Sequence, residues 1–295
     1  MTILPGVVRG PVFMMTSTLS YVINDTMMKV ATAGLPPYEV LLLRGLSAMV
    51  WGFPLLILLG YGKRVPLLFD RRVLARSLFE TLSILVFIVA LARMQIAEAT
   101  ALMQITPLLV MVGAALVLRE PTGGARLALI AAGFIGAVMI VQPTPQGISV
   151  YALLAVVSAA LGAVRDLLGR RIHAQVPGMI VAMSAVVTVV IGAGAGHLLL
   201  EHWVVPRPGD LALLAGAGLF LIFGHFFLFM AYRAGPIHAA APFYYFFTIW
   251  AIVAGLVVFG DFPNLIAVAG IVLVLASGLA IVLLDRRVRQ TALAG

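Results

Sequence analysis

The chain has 295 residues, 63% hydrophobic and 10% charged, with no cysteine and a formal net charge of +8. A soluble domain carries about 25% charged residues; a mean hydropathy of +1.14 leaves more apolar surface than a soluble core can bury, so the lipid bilayer is the remaining environment. The missing cysteines exclude disulfides, thiolate metal sites and cysteine nucleophiles, and the basic residues stand in short clusters between apolar runs, which is topology signalling rather than a nucleic-acid groove.

Apolar runs of about twenty residues recur without the alternation of a barrel strand, which predicts helical spans. The first, 11–29, carries Tyr21 and closes on Asn24 and Asp25; no small-residue cleavage pattern follows it, so it reads as a retained helix. The second covers 38–60. The third, 73–94, holds Phe79, Glu80 and Ser83. The fourth, 98–118, holds Gln104 and Pro107, and the fifth is 125–142. The sixth, 149–168, closes on Arg165 and Asp166, and the seventh is 177–200. The eighth, 210–232, holds His225 among phenylalanines. The ninth, 238–259, opens on Phe243, Tyr244, Tyr245, Phe246 and Phe247, with Trp250 a turn later, and the tenth is 263–284. The short connections leave no room for a separate soluble domain.

With both termini in the cytoplasm, 15 of the 19 Lys and Arg residues fall on the inner side. The positive-inside rule chooses that orientation. The expected location is a bacterial inner membrane, crossed many times.

Sliding the second half over the first gives matches at an offset of 141, among them Ser17 with Ser158, Asp25 with Asp166, Lys29 with Arg170, Pro36 with Pro177 and Glu120 with Asp261. Around the third span the offset is 140, as in Asp70 with Asp210 and Arg93 with Arg233. Halves at 1–145 and 146–295, each with an odd number of spans, are inverted relative to one another. The expected fold is all-α integral membrane, ten transmembrane helices as two inverted five-helix repeats around a central cavity. Such halves can exchange conformations, which implies a carrier working by alternating access.

The segment Glu98 to Pro107, EATALMQITP, followed by Gly113 and Glu120, resembles the fourth helix of EamA-type members of the drug/metabolite transporter superfamily. Its counterpart Ala239 to Thr248, AAAPFYYFFT, with Gly255 and Asp261, is similar but has Thr248 where the family's proline is expected. NDTMMK at Asn24 to Lys29 and LLLRG at Leu41 to Gly45 look like the first two helices of that family. The resemblance implies a cavity lined by helices one, three, four, six, eight and nine, with five and ten peripheral. Amino-acid exporters of the superfamily are one likeness and bacterial S-adenosylmethionine carriers another. The expected substrate is therefore a small metabolite, with a hydrophobic or aromatic amino acid and export favoured.

A carboxylate inside a span is costly unless paired, protonated or hydrated, so Glu80 should face the interior. His225, at a similar depth in the symmetry-related eighth span, is its expected companion, binding substrate or exchanging protons; a pair that only joins helices is the alternative. Asn24 and Asp25 end the first span outside, Arg165 and Asp166 the sixth inside. Asp25, Arg165 and Asp166 are candidate gates, with interfacial anchoring as the alternative. Tyr21, Asn24, Phe79, Ser83, Gln104, Tyr244, Tyr245 and Trp250 complete the substrate-binding candidates, although an aromatic run covers every helix face and only a subset can reach a cavity. No cofactor or metal is expected, since His173, His197, His202, His225 and His238 lack ligand spacing. An intramembrane enzyme would need a catalytic constellation that is not found, and a channel fits inverted halves less well. The expected partners are the bilayer and the substrate, the chain being a monomer or weak homodimer.

Overall fold

The computed structural model describes residues 6–117, 124–142, 148–234 and 240–294; Glu120, His238 and Ala239, named above, lie outside them. Among the described residues the regular structure is helical throughout. The α-helices are α1 (Gly6–Ala31), α2 (Pro37–Leu58), α3 (Arg71–Arg93), α4 (Ile96–Met103), α5 (Thr106–Val117), α6 (Gly124–Val141), α7 (Val150–Gly169), α8 (Gly178–Leu200), α9 (Pro208–Arg233), α10 (Phe246–Ala254) and α11 (Leu265–Ala294).

Among the described residues, eight helical segments are long and apolar enough to cross a membrane. Two expected spans differ. The 26-residue α1 is about 39 Å long at ~1.5 Å per residue, but Thr16, Ser17, Thr18, Ser20, Asn24, Asp25 and Lys29 make it too polar to count on composition. In α6 the apolar stretch is limited to Leu127–Val141.

The fourth and ninth expected spans are both interrupted. α4 ends at Met103 and α5 begins at Thr106. Pro107 has no N–H for the Met103 carbonyl and its ring crowds that turn, so the helix breaks just ahead of the proline. In the ninth span Pro242 lies in a 3-10 turn over Ala241–Tyr245, followed by α10 and a π turn over Gly255–Phe259. Gly260 closes it in the left-handed region, at φ 68°, which a residue without Cβ adopts freely.

The principal packing pairs are α1 on α9, α3 on α7, α6 on α11, α2 on α8 and α9, α3 on α8, α5 on α7, α1 on α10 and α4 on α10. Exchanging α1 with α7, α2 with α8, α3 with α9, α4–α5 with α10 and α6 with α11 maps this set onto itself. At the α6–α11 crossing the backbones touch: a Cβ on Gly136 would lie 2.7 Å from the Gly270 carbonyl oxygen, and one on Gly270 2.6 Å from that of Gly136. Small residues permit such close approach where lipid supplies no hydrophobic drive.

The bundle has a near end, holding both described chain ends, and a far end. The far end is sealed. Met28, Leu35, Val40, Leu41, Ile88, Leu91 and Ile96 form one buried cluster there. Lys29 Nζ donates to the carbonyls of Leu91 at 2.9 Å and Met94 at 2.5 Å, placing a cation on the carbonyl-rich terminus of α3. Beside it, Glu201 accepts from the backbone N–H groups of Tyr38 and Glu39 at 3.0 and 3.2 Å, while Glu39 accepts from Val204 N–H at 3.0 Å. These carboxylates tie the loop after α8 to the N-terminus of α2. At the near end, Arg64 donates to the Gln175 carbonyl at 2.9 Å and Arg72 to that of Arg171 at 3.2 Å.

Candidate functional site

α3 and α7 run antiparallel, and two serines fix their register. Ser83 Oγ donates to the Ser158 carbonyl at 2.9 Å, and Ser158 Oγ donates to the Ser83 carbonyl at 2.8 Å. One turn nearer the termini, Arg165 Nη1 donates to Glu80 Oε2 at 3.1 Å and to Oε1 at 3.3 Å. Arg76, four residues before Glu80, reaches Oε2 at 3.0 Å, an ordinary same-face spacing on a helix. Arg165 Nε also donates to Asp166 Oδ1 at 2.7 Å. The four charges cancel. Their pairing meets the requirement for a carboxylate inside a span, since removing one partner of such a pair costs on the order of 3–5 kcal/mol when water is excluded. The Glu80 side chain is 25% exposed and that of Arg165 20%, so the pair is only partly enclosed.

The second half of the site lies at the α1–α9 crossing. Tyr21 Oη and His225 Nδ1 share a hydrogen at 2.7 Å, their rings edge-on with centroids 5.3 Å apart. Gly224 makes the approach possible, because a Cβ there would stand 2.5 Å from Tyr21 Cε1. Phe247 lies 6.3 Å from the Tyr21 ring and 6.1 Å from that of Tyr244. A wall of aromatic faces with polar tips thus adjoins an ion-paired carboxylate, and His225 and Tyr244 are within electrostatic reach of Glu80.

Glu80 and His225, expected to line the cavity together, do not bond to one another: Glu80 binds two arginines and His225 binds Tyr21. Arg165 and Asp166, expected as gates, join the Glu80 network. Asn24 and Asp25 are buried within α1 instead of standing at an exposed helix end, with Asn24 Nδ2 donating to Asp25 Oδ1 at 2.8 Å. Tyr245 departs from Tyr244 and packs its ring on Gly278 of α11, and the Ser83 hydroxyl is taken up by Ser158. Phe79 is half-buried beside Glu80, and Gln104 is buried at the α4–α5 break. Trp250 packs against Phe246 and the far-end cluster. Arg76 and Arg44 were not singled out. The Arg76-x-x-x-Glu80 spacing was the available signal for the first, and a charge seven residues inside an apolar run for the second.

The profile of the EamA-like transporter family matches residues 8–142. A riboflavin transporter of Rhizobium johnstonii is 33% identical over 80% of each chain. The chain belongs to the EamA-like transporter family. This EamA-like protein is also 24% identical to an S-adenosylmethionine uptake transporter of Rickettsia prowazekii, over 95% of this chain and 94% of that one. The pseudopaline exporter CntI of Pseudomonas aeruginosa is 24% identical over 92% of this chain and 95% of its own. A crystal structure 20% identical in sequence superimposes with a TM-score of 0.65 over 95% of this chain and 98% of that one, which establishes the likeness of fold. The EamA-like chain is thus a multi-pass membrane protein of the drug/metabolite transporter superfamily, and its relatives are transporters rather than enzymes.

Proposed function

We propose that this chain is a secondary carrier that moves a small aromatic metabolite across a bacterial inner membrane by alternating access between two inverted halves, 1–145 and 146–295. Both termini lie in the cytoplasm in this reading, so the near end is the inner face. The observation that carries it is the partly exposed Glu80–Arg165 bridge between α3 and α7, beside the aromatic wall, with the far end closed by apolar side chains. The exchange symmetry of the helix pairs supports the same reading, because inverted halves can trade conformations and open the opposite end.

The aromatic wall suits a flat ring, and the riboflavin transporter among the relatives makes riboflavin the first candidate. An aromatic amino acid is the second reading, favoured by the opposite charges of Glu80 and Arg165, which match an ammonium and a carboxylate; for it the expected direction is export. The relatives include both an uptake transporter and an exporter, and a carrier without a fixed energy source runs either way with the gradient.

The test is counterflow in proteoliposomes. Vesicles loaded with unlabelled riboflavin should accumulate labelled riboflavin transiently and saturably, and a parallel set with phenylalanine and tryptophan separates the two readings. Flux that rises linearly with concentration, or single-channel currents, would overturn carriage.

A further inference from the structure

The ion pair and the Tyr21–His225 bond satisfy the polar groups of the near half of the site. One level farther from the termini, polar atoms are left over. Asn24 Oδ1 on α1, Arg44 Nε on α2, Gln104 Nε2 at the α4–α5 break, and Thr248 Oγ1 and Trp250 Nε1 on α10 are buried with no hydrogen-bond partner; Glu39 Oε1 and Gln95 Oε1 are too, but they lie at the far helix ends, outside this level. Asn24, Arg44, Gln104 and Thr248 are at most 4% exposed. Counted from the far ends of their helical segments, all five lie about 10–16 Å deep at ~1.5 Å per residue. α1 packs against α2, α4 and α10, so the level is continuous around α1. Leu41, one turn before Arg44, shares an apolar cluster with Trp250.

One unpartnered buried atom is a packing fault. Five at similar depth, on α1 and on elements that pack against it, form a level of polar atoms available to a solute, because buried polar groups are otherwise satisfied. Their chemistry is one-sided. Arg44 Nε, Gln104 Nε2 and Trp250 Nε1 can only donate, Thr248 can do either, and Asn24 Oδ1 alone must accept. A solute held here therefore presents mainly oxygen acceptors. Arg44 is within electrostatic reach of Asp25, whose charge offsets its own, so the level suits a neutral ring dione or the carboxylate of a zwitterion better than a free anion.

We infer that this level, anchored by Arg44, holds the oxygen-acceptor end of the solute, a ring dione or an amino-acid carboxylate, while the ring body lies on the aromatic wall below. The inference deepens the proposed function and rests on it only for the statement that the bound solute is then moved.

Trp250 supplies a reporter. The other two tryptophans, Trp51 and Trp203, are exposed, so the W51F/W203F protein in detergent leaves Trp250 as the sole indole. Riboflavin and phenylalanine are titrated against its emission, with 2-phenylethylamine as the control lacking a carboxylate. At least one of the first two should change the Trp250 signal saturably, and phenylethylamine should not. R44Q should raise the half-saturating concentration of that solute at least tenfold, and R44K, which restores the charge without the planar fork, should recover part of it. Thermal melting confirms that each variant is folded; if R44Q does not fold, the R44K shift alone decides. A Trp250 signal that responds to neither solute, or Arg44 variants that bind as tightly as the parent, would overturn the inference. Saturable binding without counterflow would instead refute carriage and leave the site standing.

Discussion

Ser17 donates its hydroxyl hydrogen to the Gly224 carbonyl at 2.8 Å, and Ser158 donates to the Ser83 carbonyl at the same length. Position 158 follows 17 by the 141 residues of the sequence repeat, whereas Gly224 lies one residue beyond the position that the 140-residue offset around the third span pairs with Ser83. The two bonds stand at corresponding points, where α1 crosses α9 and where α7 crosses α3. Beside each crossing lies one part of the site: Tyr21–His225 one turn from Ser17, and Glu80–Arg165 one turn from Ser83. The side chains around the two bonds differ, giving one aromatic crossing and one ionic crossing. In the alternating access proposed above, a solute between them would touch both halves, and rocking of the halves would alter its exposure.

Replacing Glu80 with Gln removes the carboxylate shared by Arg76 and Arg165 and leaves two cations facing each other inside the bundle. The maximal counterflow rate should fall at least tenfold, about 1.4 kcal/mol in barrier. R165K, which keeps the charge but loses the paired donors, should fall less.

At Gly224, alanine would drive its Cβ into the Tyr21 ring, the nearest ring atom being 2.5 Å away. Tyr21 should swing off His225, so G224A is expected to raise the half-saturating solute concentration several-fold more than Y21F, which loses only the shared hydrogen. Counterflow measured over a concentration series separates the two.

Tyr244 and Tyr245 are adjacent in sequence and part company in space. Y244F removes a hydroxyl within electrostatic reach of Arg165 and Glu80 and should weaken solute affinity. Y245F removes one packed against α11 at Gly278 and should leave transport within about twofold of the parent. Equal effects on counterflow would contradict this assignment.

The division between these tyrosines also marks how far the sequence reaches. Hydropathy located the apolar helices, and the repeat paired Ser17 with Ser158. What it left open was rotation. Along Phe243–Phe247 successive side chains turn by about 100° each, and in an all-apolar run no polar stripe says which faces inward. The partner of Glu80 was hidden for a related reason: Arg165 lies nearer the end of α7, and only a long side chain reaching back along the helix brings its guanidinium to Glu80. Arg44 lies seven residues inside α2, and hydropathy alone does not say what a lone cation within a span faces. The break at Gln104 was legible as a proline effect at Pro107, displaced upstream because the lost hydrogen bond belongs to the preceding turn.

Lys29 closes the far end by holding the Leu91 and Met94 carbonyls. K29M keeps the apolar stem and removes the donors. It should raise hydrogen–deuterium exchange at the α3 terminus, around residues 91–95, and shift the protein toward the state open at that end. Unchanged exchange there would show that the apolar cluster alone holds the closure.

Because the chain has no cysteine, single cysteines report access without background. Met28 lies in the far-end seal and Leu228 on α9 beside the near-end cluster of Met14, Ala231 and Ala240. M28C and L228C, each in sealed vesicles, are labelled with a membrane-impermeant maleimide from the side their end of the bundle faces, with and without saturating solute. Alternating access predicts reciprocal change: solute that raises labelling at one position lowers it at the other. Labelling that rises or falls together at both, or either cysteine reacting from both sides, would contradict the central claim.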